Sequence, residues 1–439
     1  MSGQTPAPTA AAGFLQRRLG FPPLTGNRKL LGATAIDSLG NGLVLAFVLI
    51  YFTRTTSLSL TQVGAAISLA RLLAVPTAVA AGPLIDRFGA RRTALAGNVV
   101  SAVGYAGFLA SQQAWHIVLV TWLTQVGFAM YWTSSTGLVG LATQPEWRPR
   151  WFAVMNMLRN SGLAAGGALG ALLIDWAGTA GLRAVVVTNA ASYVAAALLL
   201  ALWRPANEPR GKARTHARPV TAAGGGYRAV LRDRRYLLLV GINLNFAFNI
   251  LILSMLIAVY INTGLHQPAW IAGMLIMVNC LQVALTQTSV TRLLENRRPI
   301  HVVIAGALLS ALSYVVFIAV HAASARGVVL AGLLVAVIVF GFAETTANPV
   351  RENLSVSLAP EELRGRYLAV YQLSYTFAQT AGPGLFAYLL TRGAALPWIF
   401  LITLNLLVVP FLLLLERMIR NPAAPNEAEP VPASVADRS

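Results

Sequence analysis

Charge is scarce in this 439-residue chain: 11% of its residues are Asp, Glu, Lys or Arg, against 56% hydrophobic. Soluble domains carry roughly a quarter charged residues, about twice this share, so water is not the solvent for most of the chain. Lysine is nearly missing, with Lys29 and Lys212 the two present. Neither stands in G-x-x-x-x-G-K-[ST], the loop that grips nucleotide phosphates, so a nucleotide-driven machine is excluded. The single cysteine, Cys280, rules out an intrachain disulfide and sits in an apolar run, where a packed thiol is the ordinary outcome. His116, His266, His301 and His321 fall at the ends of apolar runs and His216 in a polar connection. No H-E-x-x-H spacing occurs, which removes the zinc hydrolases and leaves no clustered catalytic groups or metal site to expect. The formal charge of +18 is not gathered into a basic patch interleaved with aromatics, so no nucleic-acid partner is expected.

What the chain does have is long apolar runs. They fit spans over about 30–53, 60–84, 93–111, 115–142, 152–174, 183–203, 236–262, 269–290, 300–320, 327–349, 367–391 and 396–416. Crossing a hydrocarbon layer of about 30 Å takes about 20 helical residues, because a helix satisfies its own backbone where no water can. The runs exceed strand length and lack a polar partner at every second position, which excludes an outer-membrane barrel. The fold class expected is an all-α membrane protein of twelve transmembrane helices in two six-helix bundles. The bilayer is then its surrounding partner, and the chain is expected to act as a monomer.

Basic residues fall in alternate connections. Of the 33 Lys and Arg, 27 lie on the side of the two termini; Arg54, Arg183, Arg326 and Arg392 lie opposite, and Arg71 and Arg159 fall within spans. The positive-inside rule places both termini in the cytoplasm. Arginine outnumbers lysine 31 to two and alanine is abundant, which points to a GC-rich bacterial genome and hence the bacterial plasma (inner) membrane.

The division expected is a cytoplasmic tail over 1–29, bundles over 30–203 and 236–416, a basic central loop over 204–235 and a tail over 417–439. An internal repeat supports it. Pro145-Glu146-Trp147-Arg148-Pro149-Arg150 recurs, with one inserted residue, as Pro360-Glu361-Glu362-Leu363-Arg364-Gly365-Arg366. Beyond the insertion, an offset of 216 aligns Arg148 with Arg364, Arg150 with Arg366, Gly166 with Gly382 and Leu173 with Leu389. Such a match is expected of a duplicated six-helix unit.

Between the second and third spans stands Gly82-Pro83-Leu84-Ile85-Asp86-Arg87-Phe88-Gly89-Ala90-Arg91-Arg92. Gly82 permits close helix approach, Gly89 a tight turn, and Asp86 accepts hydrogen bonds from backbone and arginine. This segment resembles the signature loop of the major facilitator superfamily, G-x-L-a-D-r-x-G-r-[KR]-[KR]. The resemblance implies a transporter working by alternating access, with Gly82, Asp86, Arg87, Gly89, Arg91 and Arg92 forming a latch between the halves. A second copy over 288–298 keeps Arg297 and Arg298 but has Arg292 for the aspartate and Glu295 for the glycine, so only the first is expected to latch strongly. The glycines from Gly162 to Gly170 partly match a fifth-helix motif of drug–proton antiporters and lack its proline; packing and antiport readings are both open there.

An ionisable group inside a span costs roughly 2.5–3.5 kcal/mol, so it needs a role or a partner. Asp37 lies about 10 Å into the first span and Arg159 lies seven residues past Phe152, at a matching depth. Glu344 lies in the tenth span, with Arg351 two turns on. The proton-coupling candidates are therefore Asp37, Glu344 and Arg159. Asn41 shares the helix face of Asp37. The resemblance makes the first, fourth, seventh and tenth helices cavity-lining, so Asn41, Gln125 and Asn249 are candidate cavity or substrate residues. The function expected is proton-coupled efflux of small amphipathic molecules, with the proton gradient as energy source and no cofactor. Proton-coupled nutrient uptake and a non-transporting sensor or scaffold of the same fold are the alternatives.

Overall fold

A computed structural model describes residues 22–45, 47–205, 226–252, 256–261, 265, 267–268, 270–323 and 325–420. Among them there is no strand, and the α-helices longer than one turn are α1 (Arg28–Leu45), α2 (Val48–Thr55), α3 (Leu60–Phe88), α4 (Ala90–Phe108), α5 (Ala114–Ala142), α6 (Arg148–Leu202), α7 (Gly226–Arg232), α8 (Arg234–Leu251), α9 (Trp270–Leu294), α10 (Pro299–His321), α11 (Arg326–Ser357), α12 (Arg364–Arg392) and α13 (Leu396–Arg420). The first span is the pair α1 and α2, bent by 52°. The fifth and sixth are the two arms of α6, which turn at Gly178, where φ is 54° and ψ −123°. A left-handed φ of that kind suits glycine, since a Cβ is strained there. Helix α8 begins the seventh span, and α9 to α13 are the eighth to twelfth.

Six described helices are long and apolar enough to cross a membrane, or seven with the bent pair, and one of these stretches, Pro145–Leu202, holds two crossings. The others are more polar because they carry inward-facing groups such as Asn98, Ser134, Asn243 and Ser374, all buried. The outer faces are apolar and bare, as at Leu72, Leu198, Leu285 and Leu406; that inversion is what lipid demands. Trp115 and Trp176, at the ends of spans away from the termini, are 59% and 88% exposed, the placement of aromatic anchors at a headgroup boundary.

Local chemistry sets the helix ends. Ser59 and Gln62 form a capping box at the start of α3. The Asp233 carboxylate accepts from the backbone N–H groups of Arg235 and Tyr236, both at 3.1 Å, and starts α8. That start and α7 lie within the stretch expected to be a loop over 204–235; most of the remaining loop, and residues 1–21 and 421–439 of the two tails, are outside the described residues. The last carbonyls of α6 are capped by cations: Arg91 Nη1 donates to Leu200, Ala201 and Trp203 at 3.0–3.3 Å, and Lys29 Nζ to Leu202 at 3.0 Å.

The duplicated segment is duplicated in structure. Short turns of helix at Pro145–Trp147 and Glu361–Leu363 precede α6 and α12, whose first residues are Arg148 and Arg364. Both pairs of boundaries keep the offset of 216. Helix α11 is longer than the span drawn over 327–349 and runs through Pro349 to Ser357. Arg351, counted with the loop on the basic side, is thus inside a helix and 1% exposed.

The glycines of the fifth span pack against the first. A Cβ on Gly162 would meet the Ser38 side chain at 2.6 Å, one on Gly166 the Leu39 carbonyl at 2.1 Å, and one on Gly170 the Leu43 carbonyl at 2.6 Å. Gly42 returns the contact, its Cβ position lying 2.4 Å from the Leu163 carbonyl. Small residues four apart let the two backbones touch, and in lipid that close packing is the main attraction between helices. It also fixes Asp37, one residue from Ser38, against this seam.

Candidate functional site

Asp37 is 3% exposed in α1, and its Oδ1 has no hydrogen-bond partner. Beside it, the Asn41 amide donates to the Asp37 backbone carbonyl at 2.9 Å and accepts from the Tyr193 hydroxyl at 2.8 Å. Tyr193 in turn stacks on Tyr105, with ring centroids 5.5 Å apart. The Arg159 guanidinium lies over the Trp132 ring at 4.4 Å, and its Nε is buried without a partner. Arg159 acts electrostatically on Asp37, yet no ion pair joins them among the described residues. Arg159 is thus within electrostatic reach of Asp37 without being paired to it. The guanidinium is half-buried and the carboxyl buried, and the two are not locked in a fixed pair.

Glu344 sits in the other half. It accepts from Asn279 Nδ2 at 3.3 Å and lines a small cleft, about the size of one water molecule, with Phe246, Asn249, Ser310 and Asn348. Arg351 does not pair with it. That guanidinium binds the amide oxygens of Asn243 and Asn348 and lies 4.2 Å from the centroid of Phe246. Asn249 shares this cleft and also exchanges 3.4 Å hydrogen bonds with Asn405 of α13, so its amide ties two helices. Gln125 is half-buried in α5. The structure brings Asn249 and Glu344 together, and Asp37 and Asn41; it does not join these two groups to each other.

The signature loop reaches across the halves. Asp86 Oδ1 accepts from the Gly365 backbone N–H at 2.6 Å, and Oδ2 forms an ion pair with Arg366 at 3.1 Å. Gly82 and Gly365 are both required for that approach: a Cβ on Gly82 would lie 2.9 Å from Arg366 Cα, and one on Gly365 would lie 2.4 Å from the Gly82 carbonyl. Gly89 turns the chain with φ 87°. The remaining arginines do other things. Arg91 caps α6 within its own half, Arg87 lies over Phe88 at 5.2 Å, and both Arg87 and Arg92 are exposed.

The second copy, read as degraded, also pairs across the halves. Arg150 and Glu295 form a hydrogen-bonded ion pair. Arg150 is the repeat equivalent of Arg366, and the acid has moved within its loop. Two further bonds span the same side: Asn156 Nδ2 donates to Gln287 Oε1 at 3.0 Å, and Thr136 Oγ1 to Glu352 Oε2 at 3.3 Å. Glu352 lies beyond the span drawn over 327–349, and Thr136, a lone hydroxyl inside the fourth span, has no spacing signal in the sequence. All these inter-half bonds sit toward the terminus-bearing side, which is closed.

Comparison with known proteins agrees with this architecture. The sequence profile described as Major Facilitator Superfamily matches residues 30–333 and 301–438. The multidrug resistance protein MdtH of Salmonella typhimurium is 27% identical over 371 residues, covering 83% of this chain and 87% of that protein. Among solved structures, a bacterial homologue of the iron transporter ferroportin in an outward-facing state superposes with TM-score 0.71 at 14% identity, covering 89% of this chain and 99% of that one. The proton:xylose symporter XylE superposes with TM-score 0.67 at 15% identity, covering 88% and 94%. A chain of twelve membrane-crossing helices in two repeated halves, carrying the superfamily's loop at the seam between them, belongs to the major facilitator superfamily and is a membrane transporter, not an enzyme.

Proposed function

We propose that this transporter is a proton-coupled exporter of small amphipathic molecules. It draws on the proton gradient without a bound cofactor, and acts as a monomer in a bacterial inner membrane with both termini cytoplasmic. The observation that carries the reading is Asp37: a carboxyl 3% exposed, one oxygen unpartnered, with Arg159 in electrostatic reach and not locked to it. A carboxyl with low-dielectric walls favours its neutral form, and a nearby guanidinium favours its charged form. Rocking of the halves that changes which of water or Arg159 is beside Asp37 would switch its proton affinity. The multidrug resistance name of the relative supports export of drug-like substrates, and the basic excess on the terminus side supports the orientation.

The latch is part of the same cycle. Asp86 with Gly365 and Arg366, and Glu295 with Arg150, hold the cytoplasmic side shut while the opposite side admits protons. Glu344, with Asn279 beside it, is the second coupling candidate, and Asn41, Gln125 and Asn249 are the candidate cavity residues. The test is flux in inverted vesicles, using ethidium as the amphipathic cation probe. Acidifying the lumen is expected to drive the probe inward by exchange for protons, which corresponds to export from a cell. Probe movement in the same direction as protons would instead support uptake, and no movement of any amphipathic probe would favour a non-transporting role.

A further inference from the structure

Three residues before Asp86, helix α3 holds a proline. Pro83 has no N–H, so the hydrogen bond that the Val79 carbonyl would accept from residue 83, four positions on, cannot form. A half-buried carbonyl that has lost its helical donor needs another one. It finds one in the other half: the Tyr227 hydroxyl of α7 donates to the Val79 carbonyl. The hydroxyl enters beside Gly82, where an added Cβ would lie 2.5 Å from it and 2.9 Å from Arg366 Cα. The bare backbone of Gly82 therefore admits both the phenol and α12. In the second copy of the loop, Ser289 aligns with Pro83. Serine keeps its N–H, so the orphaned carbonyl belongs to one copy of the repeat alone.

Helix α7 is carried by the second half. Tyr227 and Val230, three residues apart, share one face. Val230 is fully buried in the core of that half with Tyr236, Leu239, Tyr367 and Leu412, and Tyr227 packs against the same cluster. Asp233 pins the corner where α7 meets α8: its Oδ2 accepts from the Tyr367 hydroxyl of α12 at 3.1 Å, and its backbone N–H donates to the Ala229 carbonyl at 3.1 Å. The opposite face of α7 turns outward, with Arg228, Leu231 and Arg232 exposed. Val79 belongs to the first half, so its bond to Tyr227 cannot survive separation of the halves on this side.

We propose that Tyr227 is a positioning residue of the transport cycle: by filling the carbonyl that Pro83 orphans, it makes α7 of the central connection a third fastening of the closed terminus-bearing side. It acts beside the ion pairs Asp86–Arg366 and Arg150–Glu295. Opening withdraws the hydroxyl, and the Val79 carbonyl loses its donor a second time. The proline and the phenol thus work as one unit, the first creating the need that the second meets. This goes beyond the proton-coupled reading and does not depend on it, because any alternating-access cycle must part the bond. A phenol, with an ordinary pKa of about 10, carries no charge at working pH.

The experiment measures spin–spin distances between labels at Glu146→Cys and Glu361→Cys, on exposed turns of the two halves, in a Cys280→Ala chain reconstituted in lipid nanodiscs. Tyr227→Phe keeps the ring and its packing and removes the donor. It is expected to raise the open:closed ratio about fivefold, at acid and neutral pH alike. Pro83→Ala returns an N–H to residue 83, so the Val79 carbonyl is satisfied within α3 whether the side is closed or open. In that background Tyr227→Phe should change the ratio by about twofold or less. A Tyr227→Phe distribution that superimposes on wild type overturns the proposal. An undiminished rise in the Pro83→Ala chain overturns it as well, because the phenol would then act through a partner other than the carbonyl that Pro83 orphans.

Discussion

Asp86→Asn removes one charge from the seam and leaves the shape of the side chain intact, so its effect can be sized from two contacts. The lost components are the ionic part of the 2.6 Å bond from the Gly365 backbone and the ion pair with Arg366 at 3.1 Å. Hydrogen bonds to charged groups contribute about 1.5–3 kcal/mol and neutral ones about 1 kcal/mol. The Asp86 and Arg366 side chains are 9% and 16% exposed, so the pair is screened less than a surface pair. Closure of this side should weaken by about 1–2 kcal/mol, which is roughly a 5–30-fold rise in the open:closed ratio. Spin labels at Glu146→Cys and Glu361→Cys, on exposed turns of the two halves, in a Cys280→Ala chain read that ratio directly as a distance distribution. Insertion and helix content should not change, because Asp86 lies at the end of α3 and touches no apolar core. An unchanged distance distribution would refute the latch, and a collapse of folding would show that Asp86 holds up its own half instead.

The other perturbations act at separate places. Gly166→Ala puts a Cβ where the Leu39 carbonyl lies 2.1 Å away; we expect α1 and α6 to be forced apart at a loss of about 1–3 kcal/mol, seen as a lower Tm in detergent. Reversing one charge, as in Arg150→Glu or Glu295→Arg, should open the terminus-bearing side, and combining the two should restore closure; absence of rescue in this double-mutant cycle would mean the pair contributes nothing. Gly89→Val places a β-branched residue at φ 87° and should slow substrate flux without preventing insertion, as read by initial rates in vesicles matched for protein content.

Much of this architecture was legible in the chain, because lipid imposes one simple rule: backbone groups must be satisfied within each helix. Apolar run length marks the spans, and the Pro145 and Pro360 segments mark the two-fold repeat. The errors have local causes. Arg351 and Glu352 fall outside the span drawn over 327–349 because charge and Pro349 resemble a helix end, whereas protein neighbours bury Arg351 and half-bury Glu352. Glu295 looked like a lost glycine because alignment by position misses an acid that has moved within its loop and still reaches Arg150. Asp37 and Arg159 agreed in depth, but depth along two helices does not determine the direction of a side chain. Arg159 turned to Trp132. The networks of Asn41 with Tyr193 and Asn249 with Asn405 left no spacing signal, since each joins residues more than 150 positions apart.

Asp37 carries the central claim, and one comparison tests it: wild type and Asp37→Asn in the same proteoliposomes, with ethidium flux measured down its own gradient and then against it under an imposed pH gradient. The amide keeps the volume of the carboxyl and much of its hydrogen bonding, and it cannot release a proton. Asp37→Asn should retain downhill movement near the wild-type rate and lose gradient-driven accumulation, with Arg159→Gln weakened in the same sense. Full uphill accumulation by Asp37→Asn would contradict the account, make Asp37 a packing residue of the first and fifth spans, and move the coupling site to Glu344.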